Sequence, residues 1–185
     1  MGSTWDHAAL GHFKYDDARW TSMVNVPAFK AFTYDTGFSN ASRSTGMHEL
    51  AFEADDESDV PTPAAIALAS KVLANQAKLV PMITHALWED FNGRGPDSGM
   101  WWHGDLAQVA EMMGADEPPH AQDDLLALML LSQITIRKDG EGQDAPVVEL
   151  SFHAEFDPEH GVGVLTDGET VLGIGYAGDP APYET

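Results

Sequence analysis

The sequence predicts an α+β fold: a mainly antiparallel sheet with a C-terminal β-meander, packed against a long Pro-kinked helix and two shorter helices. Three patterns predict it: aromatic and β-branched runs before residue 55, an apolar helical stripe after Thr62, and alternation of apolar and polar residues over Val147–Phe156. A chain of 185 residues has the size of one globular unit, so we expect residues 1–185 to form a single α+β domain.

Four strands are predicted in the N-terminal part, separated by turn-forming residues. They are Leu10–Tyr15, Trp20–Val26, Ala28–Tyr34 and His48–Ala54. A Gly/Ser/Asn-rich stretch predicts a flexible loop over residues 37–46. The acidic run over residues 53–59 lacks the glycine and the terminal Glu of a calcium loop, so we interpret it as a solvated loop.

A long helix begins at Thr62-Pro63, with Thr62 as the N-cap and proline at the first helical position. Its apolar stripe comprises Ile66, Ala69, Leu73, Ala77, Val80, Ile83, Leu87 and Phe91. Pro81 lies within this stripe. Because an interior proline removes one backbone hydrogen bond and crowds the preceding turn, we expect a kink or a break there.

Two shorter helices follow. Asp105 and Gln108 form a capping-box pattern that predicts a helix over Leu106–Met113, closed by Gly114. A further helical piece is predicted over Asp123–Leu131, continuing into a strand over Ser132–Arg137.

The C-terminal third predicts the meander. In Val147–Phe156, one face is apolar and the other carries Glu149, Ser151, His153 and Glu155. The run Asp157–Gly161 is interpreted as a turn into the strand Val162–Thr166. Asp167-Gly168 is a hairpin signal leading into Thr170–Tyr176, and residues 178–185 form a short tail.

Composition limits the classes of function. Thirty acidic against nine basic residues give a formal charge of -21, which repels nucleic acids and anionic membranes and attracts cationic partners: a basic protein, a polyamine or metal ions. Solubility, or adaptation to a salty cytoplasm, accounts for the same charge. Without cysteine, thiolate metal sites and cysteine nucleophiles are excluded. The N-terminus has no signal-like segment, and no run approaches the about 20 apolar residues of a bilayer span, so we expect a cytoplasmic protein.

The first group of candidate site residues lies around the C-terminal hairpin: His153, Asp157, Glu159 and His160. Imidazole and carboxylate groups bind zinc, manganese or iron and also serve in general acid/base catalysis. Their spacing matches no known metal motif, and an exposed strand histidine followed by a turn accounts for the same residues.

Two other groups are weighed in the same way. Trp101, Trp102 and His103 form a candidate ligand pocket for an aromatic or cationic molecule, although tryptophan also fills cores and Asp105 is already explained as an N-cap. His85 and Glu89 have the spacing of a helical metal pair and equally that of a surface ion pair.

One resemblance rests on the last third of the chain. The runs Asp124-Leu125-Leu126 and Leu130–Ile136 and the segment Phe156–Val164 resemble a group of bacterial domains of unknown function that share an aromatic-Asp-x-Glu-His-Gly hairpin. The resemblance carries over Asp157, Glu159 and His160 as motif residues of unknown role. Similar small acidic α+β proteins occur among bacterial toxin-immunity proteins, which implies an inhibitor-like role as an analogy.

The first functional expectation is a non-catalytic, immunity-type interaction protein of the bacterial cytosol that binds a basic partner and needs no cofactor. The alternative is a metal-dependent hydrolase that uses His153, Asp157, Glu159 and His160. A weaker alternative is a small-ligand protein whose pocket is lined by Trp101 and Trp102.

Overall fold

A computed structural model describes residues 2–35, 46–138 and 145–184 of the chain. Its strands are β1 (Thr4–His7), β2 (Gly11–Asp16), β3 (Arg19–Asn25), β4 (Met47–Glu53), β5 (Met129–Arg137), β6 (Val147–Ala154), β7 (Asp157–Thr166) and β8 (Val171–Gly175). Its α-helices are α1 (Pro63–Phe91), α2 (Leu106–Met113) and α3 (Leu125–Leu128). The predicted α+β class, with a mainly antiparallel sheet and a C-terminal meander, is confirmed. The loop predicted over 37–46 lies, apart from Gly46, outside the described residues.

The eight strands form one sheet whose spatial order follows their order in the chain. Neighbouring strands are antiparallel except β4 and β5, which are parallel and pair Leu50 with Ile134. A parallel pair needs a long crossover. Residues 54–128, which contain all three α-helices, form that crossover, so the helices are brought to one face of the sheet.

The core lies between α1 and this face. Val148, Leu150, Phe152, Ala154 and Phe156 are all buried, which confirms the predicted apolar face of β6. On α1 the buried face is rotated slightly from the prediction, because Val72 and Leu79 are buried whereas Ala77 is exposed.

The helix ends follow their predicted caps. Thr62 Oγ1 accepts the backbone N–H of Ala65 at 3.2 Å, and Asp105 Oδ1 accepts that of Gln108 at 3.0 Å. Gly114 ends α2 in the left-handed conformation. The helix α1 runs through Pro81 without a break.

Three local predictions are wrong, each because tertiary contacts outweigh a short-range pattern. Residues Pro27–Ala31 form a 3₁₀ helix instead of a strand, since Pro27 starts the turn and the spacing of three buries Phe29 and Phe32 together. The helical piece after residue 123 ends at Leu128, because Met129–Leu131 pair with β6. Apart from these wrong predictions, the strand β1 was missed, because no strand was predicted before Leu10.

The third correction concerns the C-terminal hairpin. The turn between β6 and β7 is Glu155-Phe156, and Asp157 already pairs with Ala154 as the first residue of β7. The turn is displaced because Phe156 is fully buried and contacts Phe91, with ring centroids 4.9 Å apart.

The C-terminal tail covers part of the other face of the sheet. Gly178 N donates to Glu149 Oε1 at 2.6 Å, and Tyr183 N donates to the carbonyl oxygen of Leu172 at 2.9 Å. A Cβ added to Gly173 would lie 2.0 Å from the carbonyl oxygen of Ala181, so the tail passes directly over the backbone of β8. This explains why Glu149, predicted on a polar outer face, is only 4% exposed.

Candidate functional site

The last turn of α1 carries a buried carboxylate, Asp90, which is 1% exposed. Positions three apart share a helix face, so the packing that buries Leu87 also brings Asp90 into the interior. A buried charge requires hydrogen-bond partners. The loop that follows α1 supplies them.

That loop, residues 93–104, is closed at its neck by two glycines. The backbone N–H groups of Gly93 and Gly104 both donate to the carbonyl oxygen of Asp90, at 2.9 and 2.8 Å. Both glycines have positive φ, and a Cβ on Gly93 would lie 3.2 Å from Cα of Gly104. A compact loop whose ends meet packs on its own side chains, and here those side chains converge on Asp90.

The carboxylate of Asp90 accepts four hydrogen bonds from this loop. Oδ1 accepts one hydrogen bond from Nδ1 of His103 at 2.7 Å and one from the backbone N–H of Ser98 at 3.3 Å. Oδ2 accepts the Ser98 hydroxyl at 2.6 Å and Nε1 of Trp102 at 2.8 Å. Four donors satisfy both oxygens of a carboxylate.

His103 is therefore held by one ring nitrogen. Since Nδ1 donates to Asp90, Nε2 is the nitrogen left to exchange a proton, and the side chain is 24% exposed. A buried carboxylate that orients an imidazole in this way is the arrangement used in general acid/base catalysis. The same contact also fastens the loop to the helix.

A metal ion at this place is less well supported. The described part of the chain contains one cluster of residues that could hold a metal ion, formed by Asp90, Asp97 and His103. Each of them offers one ligand atom, and these three atoms lie within 4.8 Å of one another. The Asp90 oxygens and Nδ1 of His103 are already joined by a hydrogen bond, which a metal would have to replace. The cluster fits a hydrogen-bonded imidazole better than a metal ligand set.

A second Asp–His pair lies at the C-terminal hairpin. Asp157 is 4% exposed, and its Oδ1 is 3.1 Å from both the backbone nitrogen and Nδ1 of His160. The His160 ring packs against Tyr176 with centroids 4.7 Å apart. The structure thus brings together two of the four hairpin residues selected from the sequence.

The other two residues of that group stay apart from this pair. His153 and Glu159 are exposed, and neither belongs to a potential metal-binding cluster among residues 2–35, 46–138 and 145–184. On α1, Glu89 forms a bidentate ion pair with Arg94, and this contact lowers the pKa of Glu89. Glu89 is thus part of a surface ion pair, while His85 is exposed.

Trp101 and Trp102 connect the two Asp–His pairs. The indole N–H of Trp101 donates to Oδ2 of Asp157 at 3.1 Å, whereas that of Trp102 donates to Asp90. The two rings meet edge to face, with centroids 5.4 Å apart. Trp102 is fully buried and offers no surface to a ligand, so the two indoles fasten the loop to α1 and to the sheet.

A cleft of about 470 Å³ opens beside this loop and the C-terminal tail. It is lined by Pro96, Asp97, Ser98, Gly99, Ala181, Pro182, Tyr183 and Glu184. Burial and the negative charge of Asp90 raise the pKa of Tyr183, so its hydroxyl stays protonated. The pocket predicted at Trp101, Trp102 and His103 and this cleft are different places, since none of these three residues lines the cleft.

Sequence reasoning did not select Asp90 or Ser98. A signal for Asp90 does exist, because it stands three residues after Leu87 and beside Phe91 on the apolar stripe. Ser98 has no such signal, because its contact with Asp90 depends on the path of the loop.

Together, the sheet with its sequential strand order, the crossover of helices and the two buried aspartates, each bonded to a histidine, define an α+β domain. The chain belongs to the family DUF6985, a domain of unknown function, whose family model matches residues 9–181. This confirms the predicted membership of a family of domains of unknown function. Comparisons with curated proteins and with solved structures find no match. No helix among the described residues combines the length and the apolar character needed to cross a bilayer.

Proposed function

We propose that this protein is a non-catalytic interaction protein of the bacterial cytoplasm that binds a basic protein partner, in the manner of an immunity-type inhibitor. The observation that carries the proposal is the uneven distribution of charge. Residues 95–185 contain 18 acidic and two basic residues, a formal charge of -16, whereas residues 1–94 contain 12 acidic and seven basic residues, a formal charge of -5.

The two cations of the second half are already engaged. Arg137 lies 3.7 Å from Glu149, and Lys138 bridges Asp55 and Asp59 of the acidic loop. The contacts to these two carboxylates raise the pKa of Lys138. Lys138 therefore neutralises acids of the first half, and the negative charge of the second half is left largely uncompensated.

Several exposed carboxylates of the second half take part in none of the ion pairs found among the described residues, among them Glu111, Asp116, Asp123 and Glu159. A surface with unpaired charge of one sign attracts partners of the opposite sign and speeds their association. It repels nucleic acids and anionic lipids. A basic protein is the macromolecule that this surface favours.

The test compares two variants of equal charge in an affinity capture from the source cell. One variant neutralises four of these unpaired acids of the second half: Glu111→Gln, Asp116→Asn, Asp123→Asn and Glu159→Gln. The matched variant neutralises four exposed acids of the first half: Asp6→Asn, Asp16→Asn, Asp17→Asn and Glu57→Gln. Both proteins carry a formal charge of -17, so a difference between them reports position and not total charge.

We expect the unmodified chain and the first-half variant to retain the same basic protein at low salt, and the second-half variant to lose it. Raising the salt concentration should release that protein, because screening weakens interactions between exposed charges. Capture of no basic protein, or equal capture by both variants, would refute the proposal.

The second candidate function is a metal-dependent hydrolase at the C-terminal hairpin. The contact between Asp157 and His160 favours it, because a buried carboxylate next to an imidazole is one part of an acid/base site. Zinc or manganese ions should then raise the thermal stability of the chain, and His160→Gln should abolish that increase. Unchanged stability with either ion would count against this function.

A further inference from the structure

The helix α2 presents an exposed methionine on an acidic surface. Val109 and Ala110 face the core, whereas Glu111 and Met112 face solvent, and Met112 is 51% exposed. Met112 is one of three large hydrophobic residues that are exposed in the described part of the chain. Methionine adapts its shape to a partner and is common at binding surfaces.

The C-terminal end of α2 is also negative where a helix favours positive charge. The macrodipole places partial negative charge at this end, and cations in the last turn normally stabilise it. The last turn of α2 contains no basic residue. It contains Glu111, and exposed Asp116 and Glu117 follow the Gly114 cap after one intervening residue, Ala115.

Local cations do not compensate this end. Between Arg94 and Arg137 the sequence contains no Lys or Arg. The one described ion pair of these acids joins Glu117 to exposed His120 at 2.9 Å. Glu111 and Asp116 have no ion pair among the described residues. The surface thus combines one exposed methionine with three exposed carboxylates close to it in the chain, and interfaces between proteins likewise combine apolar and polar groups.

We infer that the C-terminal end of α2, formed by Glu111, Met112, Asp116 and Glu117, is the docking surface for a basic amphipathic segment of a protein partner. This inference rests on the proposed function and specifies the place and the chemistry of the contact. Met112 contacts an apolar side chain of the partner, and Lys or Arg residues beside that side chain contact the three carboxylates. Charge complementarity selects this occupant, because a second copy of the chain carries the same charge of -21 and is repelled.

The experiment uses the full chain and a synthetic 18-residue amphipathic peptide of leucine and lysine. A second peptide keeps every lysine and replaces each leucine by glutamine, so the two differ in apolar character alone. The methyl groups of the eight methionines are labelled with ¹³C and observed by NMR during titration. The dissociation constant is measured in parallel by anisotropy of a dye on the peptide.

We expect the Met112 methyl signal to shift with the Leu/Lys peptide, while the signal of Met23 stays in place. Met23 is a matched control, because it is 54% exposed but lies on β3. Met112→Gln should weaken peptide binding about tenfold, as expected for the apolar centre of an interface, whereas Met23→Gln should leave it unchanged. The Gln/Lys peptide should bind more weakly than the Leu/Lys peptide.

Two outcomes overturn the inference: absence of binding by the Leu/Lys peptide, or binding that shifts other methyl signals and is insensitive to Met112→Gln. Neither outcome decides the proposed function, which depends on the capture experiment with the two variants of equal charge. A chain that captures a basic protein through other acids would keep its proposed function and lose this docking surface.

Discussion

Oδ1 of Asp90, in the last turn of α1, lies 2.7 Å from Nδ1 of His103, thirteen residues later in the chain. Asp90, which provides the carboxylate of this contact, is buried and only 1% exposed. It closes a loop whose neck is formed by Gly93 and Gly104. Because Trp102 bonds to the same carboxylate, this single side chain organises the connection between α1 and α2.

The first prediction tests how far Asp90 stabilises the fold. Asp90→Ala leaves the donors of Ser98, Trp102 and His103 without their acceptor, and a buried unsatisfied donor is unfavourable. We expect the free energy of unfolding to fall by about 3 kcal/mol. Denaturation by urea, followed by Trp fluorescence, measures this change.

The matched control is Asp97→Ala in the same loop. The Asp97 side chain is 66% exposed, so its removal should change the free energy of unfolding by less than about 0.5 kcal/mol. Similar effects of the two variants would contradict a central role for Asp90.

The second prediction concerns the contact between the C-terminal tail and β8. In Gly173→Ala the new methyl group would lie 2.0 Å from the carbonyl oxygen of Ala181, so the tail must move. Overpacking of this kind destabilises by about 1 to 3 kcal/mol. We expect a lower melting temperature and faster proteolytic cleavage of the tail.

A shortened chain that ends at Gly178 provides the control. It lacks Ala181, so Gly173→Ala should have little further effect on its melting temperature. An equal loss of stability in the full and the shortened chain would mean that the tail does not occupy this face.

The sequence predicted the elements whose pattern is periodic over many residues. The alternation in Val147–Phe156 and the stripe after Thr62 predicted the correct strand and helix. In both, apolar residues recur at a constant interval, so many residues independently indicate the same buried face. Prediction failed for Ala28–Tyr34, where the 3₁₀ turn depends on packing Phe29 and Phe32 against the core.

The candidate site was predicted less completely. Asp157, His160 and Trp101 were selected from the sequence, and the structure places both Asp157–His160 and Trp101–Asp157 in contact. Asp90 was missed, because a single acid on a helix stripe does not reveal which later residues bind it. Such contacts depend on the path of a loop, and the path of the loop after α1 depends on glycines whose positive φ cannot be read from residue type alone.

The third prediction uses Pro81, an exposed proline inside α1. Proline lacks the N–H that would bond to the carbonyl oxygen of Ala77, and alanine would restore it. We expect Pro81→Ala to raise the free energy of unfolding by about 2 kcal/mol, measured by urea denaturation. The variant keeps the backbone carbonyl group of residue 81, whose oxygen accepts a hydrogen bond from Nε2 of Gln122 at 3.1 Å.

Ala77→Ser serves as a control for Pro81→Ala, since Ala77 is exposed on the same helix and its replacement leaves the backbone bonds intact. It should lower stability slightly, in line with helix propensity. A loss of stability in Pro81→Ala would indicate that the local geometry imposed by proline is required for packing against Gln122.

The last prediction rests on His48, a histidine of β4 that is 2% exposed. Its Nδ1 has no hydrogen-bond partner among the residues that the structure describes. Burial lowers the pKa of His48, and a hydrogen bond to the backbone of Leu131 offsets this in part. The neutral imidazole is therefore the form that fits the folded chain.

Acidification should destabilise the fold through this histidine. Because the unfolded chain, with an ordinary His pKa of about 6.5, binds a proton before the folded chain does, stability is complete above that pH and falls as the pH is lowered through it. One histidine contributes at most about 1.4 kcal/mol per pH unit. Urea denaturation between pH 7.5 and 5 should therefore show a smaller loss for His48→Leu than for the unmodified chain, whereas replacing the exposed His85 by Gln should leave the loss unchanged. Parallel curves for His48→Leu and the unmodified chain would show that other groups govern the acid response.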